Sequence, residues 1–434
     1  MRYKILYFYM VAIIVGMLTG VAGSYLILAV HEVNRLISGG FAYVLEKGWS
    51  VGWASAIVSM LMVYVSWLMV KHIAPEAAGS GVQEIEGTLE NKRPIHWLRL
   101  LPVKFFGGIL ALSSQLVVGR EGPTIQIGGN LGAMVSSFFK FPTHERDALI
   151  SAGAAAGLAT AFNAPLAGML FILEEMRGKF KFTYTNFSGV TIACVVSVIF
   201  LHCIIGSQPA IEMTTFKLPS IHSLWFFLLF GLIVGFVGLL FNVTLMKSLT
   251  RTDKFQPRTR RMFVLSVGAL IGYTAYAYPD MVGGGYLIIE RSLEIYPSFS
   301  MVLIWVVIRF ILTMLSYNVG TPGGIFAPML ALGTLLGIAM SHAIFLVEED
   351  GSIHYGMFAV AGMGALFAAV VRAPVTGIVL VVEMTQNYSM ILPLMVTCLT
   401  ATKVVELTGT EPIYTQLLDR TLRKQAALTA EPSQ

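Results

Sequence analysis

Long apolar runs alternate with short polar breaks along almost the whole chain. Several runs are shorter than the roughly 20 residues that a helix needs to cross a bilayer directly, or contain Gly and Pro. Broken backbone at membrane depth is tolerated only where protein or a water-filled cavity satisfies its N–H and C=O groups. The pattern therefore predicts an all-α integral membrane protein with a transport fold of broken, tilted helices. The runs lie around residues 5–30, 52–70, 101–118, 125–139, 148–175, 185–206, 222–247, 262–279, 299–317, 325–347, 355–383 and 389–407.

Composition supports the membrane assignment. Of 434 residues, 56% are hydrophobic and only 12% are charged, about half the charged fraction of soluble proteins. The first run is too long for a secretory signal and lacks a convincing cleavage site, so we expect it to be retained as a helix. Cys194, Cys203 and Cys398 lie inside apolar runs, which favours buried packing residues over a disulfide set.

Basic residues cluster at the ends of apolar runs, so the net charge of +5 does not indicate nucleic-acid binding. One cluster lies between residues 250 and 262, and another lies in the tail at Arg420, Arg423 and Lys424. Short basic loops and ends mark the cytoplasmic face. Together with Arg2 and Lys4, they predict that both termini and the central loop are cytoplasmic.

An internal repeat divides the chain. Residues 153–168 align without a gap on residues 362–377, and the alignment continues to Glu174 over Glu383. Small residues also suit tight packing of membrane helices, which is the alternative explanation. We predict one membrane domain, with a first repeat at 1–207, a second repeat at 221–408 and a C-terminal segment with a cytoplasmic tail at 409–434. No cytoplasmic regulatory domain is expected. Residue spacing leaves open whether the repeats are parallel or inverted.

A glycine-rich break precedes the aligned block in each half, at residues 119–123 and 320–328. Corresponding interruptions in two halves are the best sequence indication of a transporter's binding site, so we expect these breaks to face each other. When Gly119 is set over Gly320, Pro322 falls where Glu121 would lie. The titratable residue is therefore predicted in one half only.

The break Gly119-Arg120-Glu121-Gly122-Pro123 places an ionisable residue at membrane depth, which is a functional hypothesis by default. Pro123 suits the first turn of a helix. A helix that starts here directs free amides, around Gly119, Arg120 and Gly122, towards an anion. Glu121 is then either a structural charge paired with Arg120 or a protonatable gate that fills the anion site when ionised and leaves when protonated.

Three further groups of polar residues have alternative interpretations. Ser80 with Gln83 fits a helix-capping box, or the Ser80 hydroxyl donates to an anion. Glu86 and Lys104 could form a buried structural pair. In Glu174-Glu175, only Glu174 has a counterpart in the other half, Glu383. Glu174 is thus expected to be part of the scaffold, whereas Glu175 is predicted to have a task of its own, such as accepting a proton from the cytoplasm.

The sequence contains no motif that indicates the chemistry of a soluble enzyme. The eight histidines show no metal-ligand spacing, and no phosphate-binding loop is present. A membrane-embedded hydrolase that uses Glu121 and Glu175 would lack a nucleophile or metal. We therefore expect no metal, no cofactor and no nucleotide, and transport would draw on an ion gradient.

Three segments, at residues 79–84, 119–123 and 324–328, resemble the signature segments of the CLC chloride channels and transporters. The likeness is closest to the bacterial proton/chloride exchangers. Supporting matches run from the first helix almost to the end of the chain, at residues 102–108, 126–130, 162–168 and 411–414.

The resemblance implies an inverted-repeat homodimer of the bacterial cytoplasmic membrane, with an anion pathway in each subunit. By motif position, Glu121 would be the external gate and Glu175 the internal proton acceptor. A glutamate at the latter place is typical of exchangers, and a passive chloride channel is the alternative. Ser80 indicates chloride, although Gln83 replaces the family's usual proline. The implied chloride ligands are the hydroxyls of Ser80 and Tyr414 and the backbone amides of Ile325 and Phe326.

Overall fold

The computed structural model describes residues 2–48, 50–179, 182–216, 220–295, 297–345 and 354–430, without the side chains of Arg2 and residues 428–430. Three parts of the predicted features thus lie outside the described residues: the side chain of Arg2 at the basic N-terminus, residues 217–219 between the repeats, and residues 431–434 of the tail. Seven of the described helices are long and apolar enough to cross a membrane. The prediction of an all-α, multi-pass membrane protein is confirmed.

The described residues form seventeen α-helices. Their bounds are α1 Arg2–Glu46, α2 Val51–His72, α3 Val82–Leu89, α4 Trp97–Ser113, α5 Glu121–Phe138, α6 Thr143–Phe162, α7 Pro165–Glu174, α8 Tyr184–Ile204, α9 Leu224–Asp253, α10 Pro257–Ala277, α11 Tyr286–Ile295, α12 Phe299–Asn318, α13 Phe326–Phe345, α14 Tyr355–Val371, α15 Pro374–Thr385, α16 Ile391–Leu407 and α17 Ile413–Ala430.

The aligned blocks fold alike. Helix α6 ends at Asn163 with φ of 53°, and α14 ends at the equivalent Arg372 with φ of 65°. Both residues adopt the left-handed conformation that terminates helices. In each half, an Ala-Pro pair then starts the next helix, with proline where its missing N–H costs nothing. The predicted repeat is therefore structural, and shared apolar composition does not explain it.

Helices α7 and α15 cap each other. The Glu174 carboxylate, at the end of α7, accepts from the Val375 amide (3.0 Å) and the Thr376 amide (2.6 Å) at the start of α15. Glu383, near the end of α15, accepts from the amides of Leu166 (3.1 Å) and Ala167 (2.8 Å). Since each helix end meets the other helix's start, the two helices are antiparallel and the repeats are inverted. Glu174 has the expected scaffold role.

Paired glycines show which residues of the breaks correspond. A Cβ atom on Gly128 of α5 would overlap the Gly153 carbonyl, and one on Gly333 of α13 would overlap the Gly362 carbonyl. Since Gly153 and Gly362 are equivalent, Gly128 and Gly333 are equivalent too. The same offset, carried back along both helices, sets Gly119 over Gly324.

The predicted alignment of Gly119 with Gly320 is therefore wrong. The connections before α5 and α13 are equally long, at residues 114–120 and 319–325, so Gly320 corresponds to Gln115. Phe326, and not Pro322, therefore occupies the place of Glu121. The conclusion drawn from that alignment survives, because Phe326 is not titratable either.

Replacing either capping glutamate should destabilise the fold. We expect Glu174→Gln to lower the free energy of unfolding by about 1.5–3 kcal/mol, because it loses charge-assisted bonds to the amides at the start of α15. Glu383→Gln should act similarly, and thermal unfolding in detergent measures both. Glu290→Gln, at an exposed position on α11, is the matched control. Capping variants as stable as this control would contradict the scaffold role.

The cysteine prediction is only partly correct. Cys194 and Cys398 are buried free thiols, whereas Cys203, near the end of α8, is free but exposed. Its apolar run faces outwards at this point, so an apolar neighbourhood in the sequence did not mean burial.

Candidate functional site

Main-chain hydrogen bonds join the three breaks. The Gly79 amide donates to Thr321 O (3.0 Å), and the Gly323 amide donates to Gly79 O (3.1 Å). Gly119 and Gly324 exchange amide-to-carbonyl bonds of 2.8 Å in both directions. The prediction that the breaks of the two halves face each other is confirmed.

Glu121 lies at this junction and is fully buried. Its Oε1 accepts from the amides of Phe326 (2.9 Å) and Ala327 (3.4 Å), the first residues of α13. The start of a helix leaves such amides without intrahelical partners and favours negative charge. A carboxylate from one half thus occupies an anion site that the other half provides.

Arg120 does not pair with Glu121. Its Nε donates to Ala161 O at 3.0 Å, and its guanidinium lies over the Tyr286 ring, 4.9 Å from the centroid. The structural pairing of Arg120 and Glu121 is therefore wrong, because the two adjacent side chains leave the start of the helix in different directions.

Glycines allow the backbones to meet at the site. A Cβ atom on Gly122 would lie 2.8 Å from Ser80 Cα and 2.9 Å from Gly324 Cα. A Cβ atom on Gly119 would overlap the Glu121 carboxylate. The Gly119 amide itself is engaged by Gly324, so Gly119 contributes room for an anionic group and not a free donor.

Two buried hydroxyls flank the junction. Ser80 and Tyr414 are fully buried, and neither hydroxyl has a hydrogen-bond partner among the described residues. The Tyr414 ring stacks on Phe326 with centroids 5.9 Å apart, and Ile325, also fully buried, precedes Phe326. An unpartnered buried hydroxyl is costly, so this arrangement suits an acceptor placed between helix amides and hydroxyl groups.

Ser80 does not cap α3. The capping position is Gly81, with φ of 86°, and no side chain caps the helix there. The Ser80 amide donates to the Tyr317 hydroxyl at 3.3 Å. The capping-box interpretation of Ser80 and Gln83 is therefore wrong, because the chain turns one residue later than that motif requires.

The predicted pair of Glu86 and Lys104 is also wrong. Lys104 is fully buried, and its Nζ donates to the carbonyls of Ala77 (3.0 Å) and Gly79 (2.7 Å). It therefore fixes the loop that presents Ser80. Glu86 instead forms an ion pair with Lys179, whose Nζ lies 2.9 Å from its Oε2.

Glu175 is the buried C-cap residue of α7. Its carboxylate lies against that of Glu86 on α3. The sequence indicated Glu175 through its missing counterpart, but it gave no indication of the Glu86 contact.

A cavity of about 480 Å³ opens on the side of Ser80. Gly79, Gln83 and Tyr317 are among its lining residues. Its basic lining residues are Lys71, Arg93, Arg260, Arg420 and Lys424. Asp253, which also lines the cavity, binds Arg420 at 2.6 Å and Lys424. The basic residues outnumber the acidic ones, so the cavity can attract anions. Glu175 is not among its lining residues.

The described residues contain no group of three or more His, Cys, Asp or Glu side chains that could hold a metal ion. The polar groups at the junction are amides, hydroxyls and one carboxylate. Such a set can bind an anion and exchange a proton.

Comparisons with known proteins agree with this chemistry. Residues 62–406 match the family described as Voltage gated chloride channel. The chain is 42% identical over 416 residues to the H(+)/Cl(-) exchange transporter ClcA of Vibrio parahaemolyticus, covering 95% of this chain and 89% of that protein. The ClcA of Salmonella typhimurium is 43% identical over 427 residues, covering 98% and 90%.

A solved structure is also similar. The crystal structure of a slow cyanobacterial Cl-/H+ antiporter shares 39% identity and superposes with a TM-score of 0.93. The superposition covers 96% of this chain and 99% of that one.

Proposed function

The chain belongs to the voltage-gated chloride channel (CLC) family, and on that premise we propose that it is a secondary transporter that exchanges chloride for protons across the membrane. The observation that carries the proposal is the Glu121 carboxylate on the amides of Phe326 and Ala327. A carboxylate placed on amides suited to an anion is a tethered substitute for the transported ion.

The proposed mechanism is competition at one site. Ionised Glu121 excludes chloride from the amides, whereas protonated Glu121 no longer needs them and leaves. Chloride then binds between the backbone amides of Ile325 and Phe326 and the hydroxyls of Ser80 and Tyr414. Backbone around Arg120 and Gly122 completes the site on the other side. Because each anion excludes the other, chloride and proton movements become coupled.

Glu175 is the proposed internal proton acceptor. It is buried at the end of α7, away from the basic cavity, so protons and chloride would reach Glu121 by separate routes. A separate proton route allows protons to reach Glu121 while chloride occupies the anion route. The basic cavity beside Ser80 is the proposed internal entrance for chloride. Gln83 lines this cavity, so we propose that it influences which anions the protein selects.

Both termini and the 250–262 loop are proposed to be cytoplasmic. Asp253, the last residue of α9, binds Arg420 of α17, and Arg93 donates to Gln425 of the same helix at 2.7 Å. Tyr7, near the start of α1, contacts Phe139 at the end of α5 with ring centroids 6.0 Å apart. Basic residues gathered on one side favour its assignment as the inside. The homodimer rests on family membership.

The test is to reconstitute the protein in vesicles, impose a chloride gradient and record pH and chloride together. We expect chloride movement to drive opposed proton movement. Chloride movement without proton movement would indicate a passive channel and overturn the proposal.

Glu175→Gln tests the internal acceptor. Because glutamine cannot carry a proton onward, we expect chloride flux to persist while proton movement falls to background. Glu290→Gln, exposed on α11, should behave like the parent. If Glu175→Gln and the parent move protons equally, Glu175 is not the acceptor.

A further inference from the structure

Behind Glu175 lies a cluster of charged groups that the mechanism above does not use. Glu86 of α3 and Glu90, the residue that follows α3, both face Lys179, whose Nζ lies 2.9 Å from Glu86 and 3.5 Å from Glu90. Glu86 is fully buried, whereas the Lys179 side chain is 15% exposed. Lys179 thus stands between a buried carboxylate and the protein surface.

The turn after α7 brings Lys179 to this place. Gly178 has φ of 79°, a left-handed conformation that glycine adopts without strain. The chain therefore reverses after Glu175 and returns Lys179 over α3. Burial opposes the charge on Lys179, but its pKa is raised overall, first by Glu86 and then by Glu90 and Glu175. The side chain is therefore a cation.

The other charged groups nearby have separate partners. Glu174 accepts from the amides of α15, and Lys92 pairs with Glu90 at 2.6 Å. Tyr414 of α17 is the nearby phenol, and its ring stacks on Phe326. Among the described groups, Lys179 is therefore the cation in contact with Glu86.

Two adjacent buried carboxylates do not both ionise readily, so Glu86 and Glu175 would share one proton. A cation that contacts only one member of such a pair decides where the proton rests. With Lys179 beside Glu86, the charge belongs on Glu86 and the proton on Glu175.

We propose that Lys179 is a positioning residue for proton transfer: it holds Glu86 ionised, so that Glu175 alone takes up and releases the proton. The inference rests on the proposed role of Glu175. Without the lysine, the carboxylate pair retains its proton up to a higher pH. Below that pH, release of this proton limits the rate of proton transport. Lys179 would thereby set the pH range in which the exchanger works.

The experiment measures chloride and proton flux as functions of internal pH in vesicles that contain the full-length protein. For Lys179→Met, we expect the pH of half-maximal proton transport to move to the alkaline side by about one unit or more. Chloride flux should stay within about twofold. Lys179→Gln should reproduce the shift if the methionine variant does not fold, and Lys179→Arg should restore the parent profile.

Two controls separate a charge effect from a structural one. Lys92→Met removes a neighbouring cation that pairs with Glu90 and not with Glu86, and should leave the profile unchanged. In a Glu86→Gln background, Lys179→Met should produce a much smaller shift, because only the weaker interaction of Lys179 with Glu175 remains. The proposal is overturned if the Lys179→Met profile coincides with that of Lys92→Met. It is equally overturned if both fluxes fall together and arginine does not restore them.

Glu175→Gln in the same vesicles distinguishes failure of the proposed acceptor role of Glu175 from failure of the proposed positioning role of Lys179. If it leaves proton transport intact, the role of Glu175 fails, and the inference on Lys179 fails with it. If it abolishes proton transport while Lys179→Met shifts nothing, only the inference on Lys179 is overturned.

Discussion

Glu121→Ala is expected to abolish proton movement while chloride still crosses the membrane. The carboxylate occupies the amides of Phe326 and Ala327 and is fully buried, so its removal takes away both the competing anion and the group that carries the proton. Loss of a positioned proton carrier should lower the ratio of proton to chloride flux on the order of 100-fold or more. Simultaneous recording of chloride and pH in vesicles measures this ratio.

The same variant should also lose its pH dependence of chloride flux. In the parent, protonation frees the amides for chloride, so acid should favour transport. Without Glu121 the amides are free at every pH. Glu290→Ala, on the exposed side of α11, is the matched control and should keep both the coupling and the pH dependence. A Glu121→Ala protein that still moved protons against their gradient would contradict the proposed gate.

Residue patterns predicted the scaffold well because the two halves obey the same packing rules. The identities at Gly153/Gly362 and Glu174/Glu383 had structural causes, close helix contact and mutual capping, and those causes act wherever the repeat recurs. The titratable Glu121 could be identified too, because an ionisable residue at membrane depth is energetically costly and therefore indicates a functional site.

What the sequence missed depended on contacts between distant segments. The predicted register of the two breaks was wrong because the second break contains three glycines, at positions 320, 323 and 324, and the sequence does not show which of them corresponds to Gly119. The helix bounds and the glycine contacts with α6 and α14 identify Gly324. Lys104 was predicted as a possible buried partner of Glu86, yet it binds two carbonyls. The partner of Glu86 is Lys179, which a left-handed glycine turns back over α3.

Gly119→Ala should uncouple the exchanger without removing any titratable group. A Cβ atom on residue 119 would overlap the Glu121 carboxylate, and the three atoms nearest to it all belong to that side chain. Gly119 is not among the glycines with positive φ, so alanine fits its backbone. Because the closest overlaps are with the flexible end of Glu121, we expect the fold to persist while the carboxylate is displaced from the amides of Phe326 and Ala327. We expect the ratio of proton to chloride flux to fall on the order of 10- to 100-fold.

Gly39→Ala is the matched control for Gly119→Ala. It lies on α1, where an added Cβ atom would meet nothing within 4 Å, and should leave coupling unchanged. Thermal unfolding should give both variants nearly the stability of the parent, which separates displacement of Glu121 from damage to the fold. In a Glu121→Ala background, Gly119→Ala should have no additional effect, since the group that it displaces is gone. If Gly119→Ala folds and exchanges at the parent ratio, occupation of the amides by Glu121 does not control coupling.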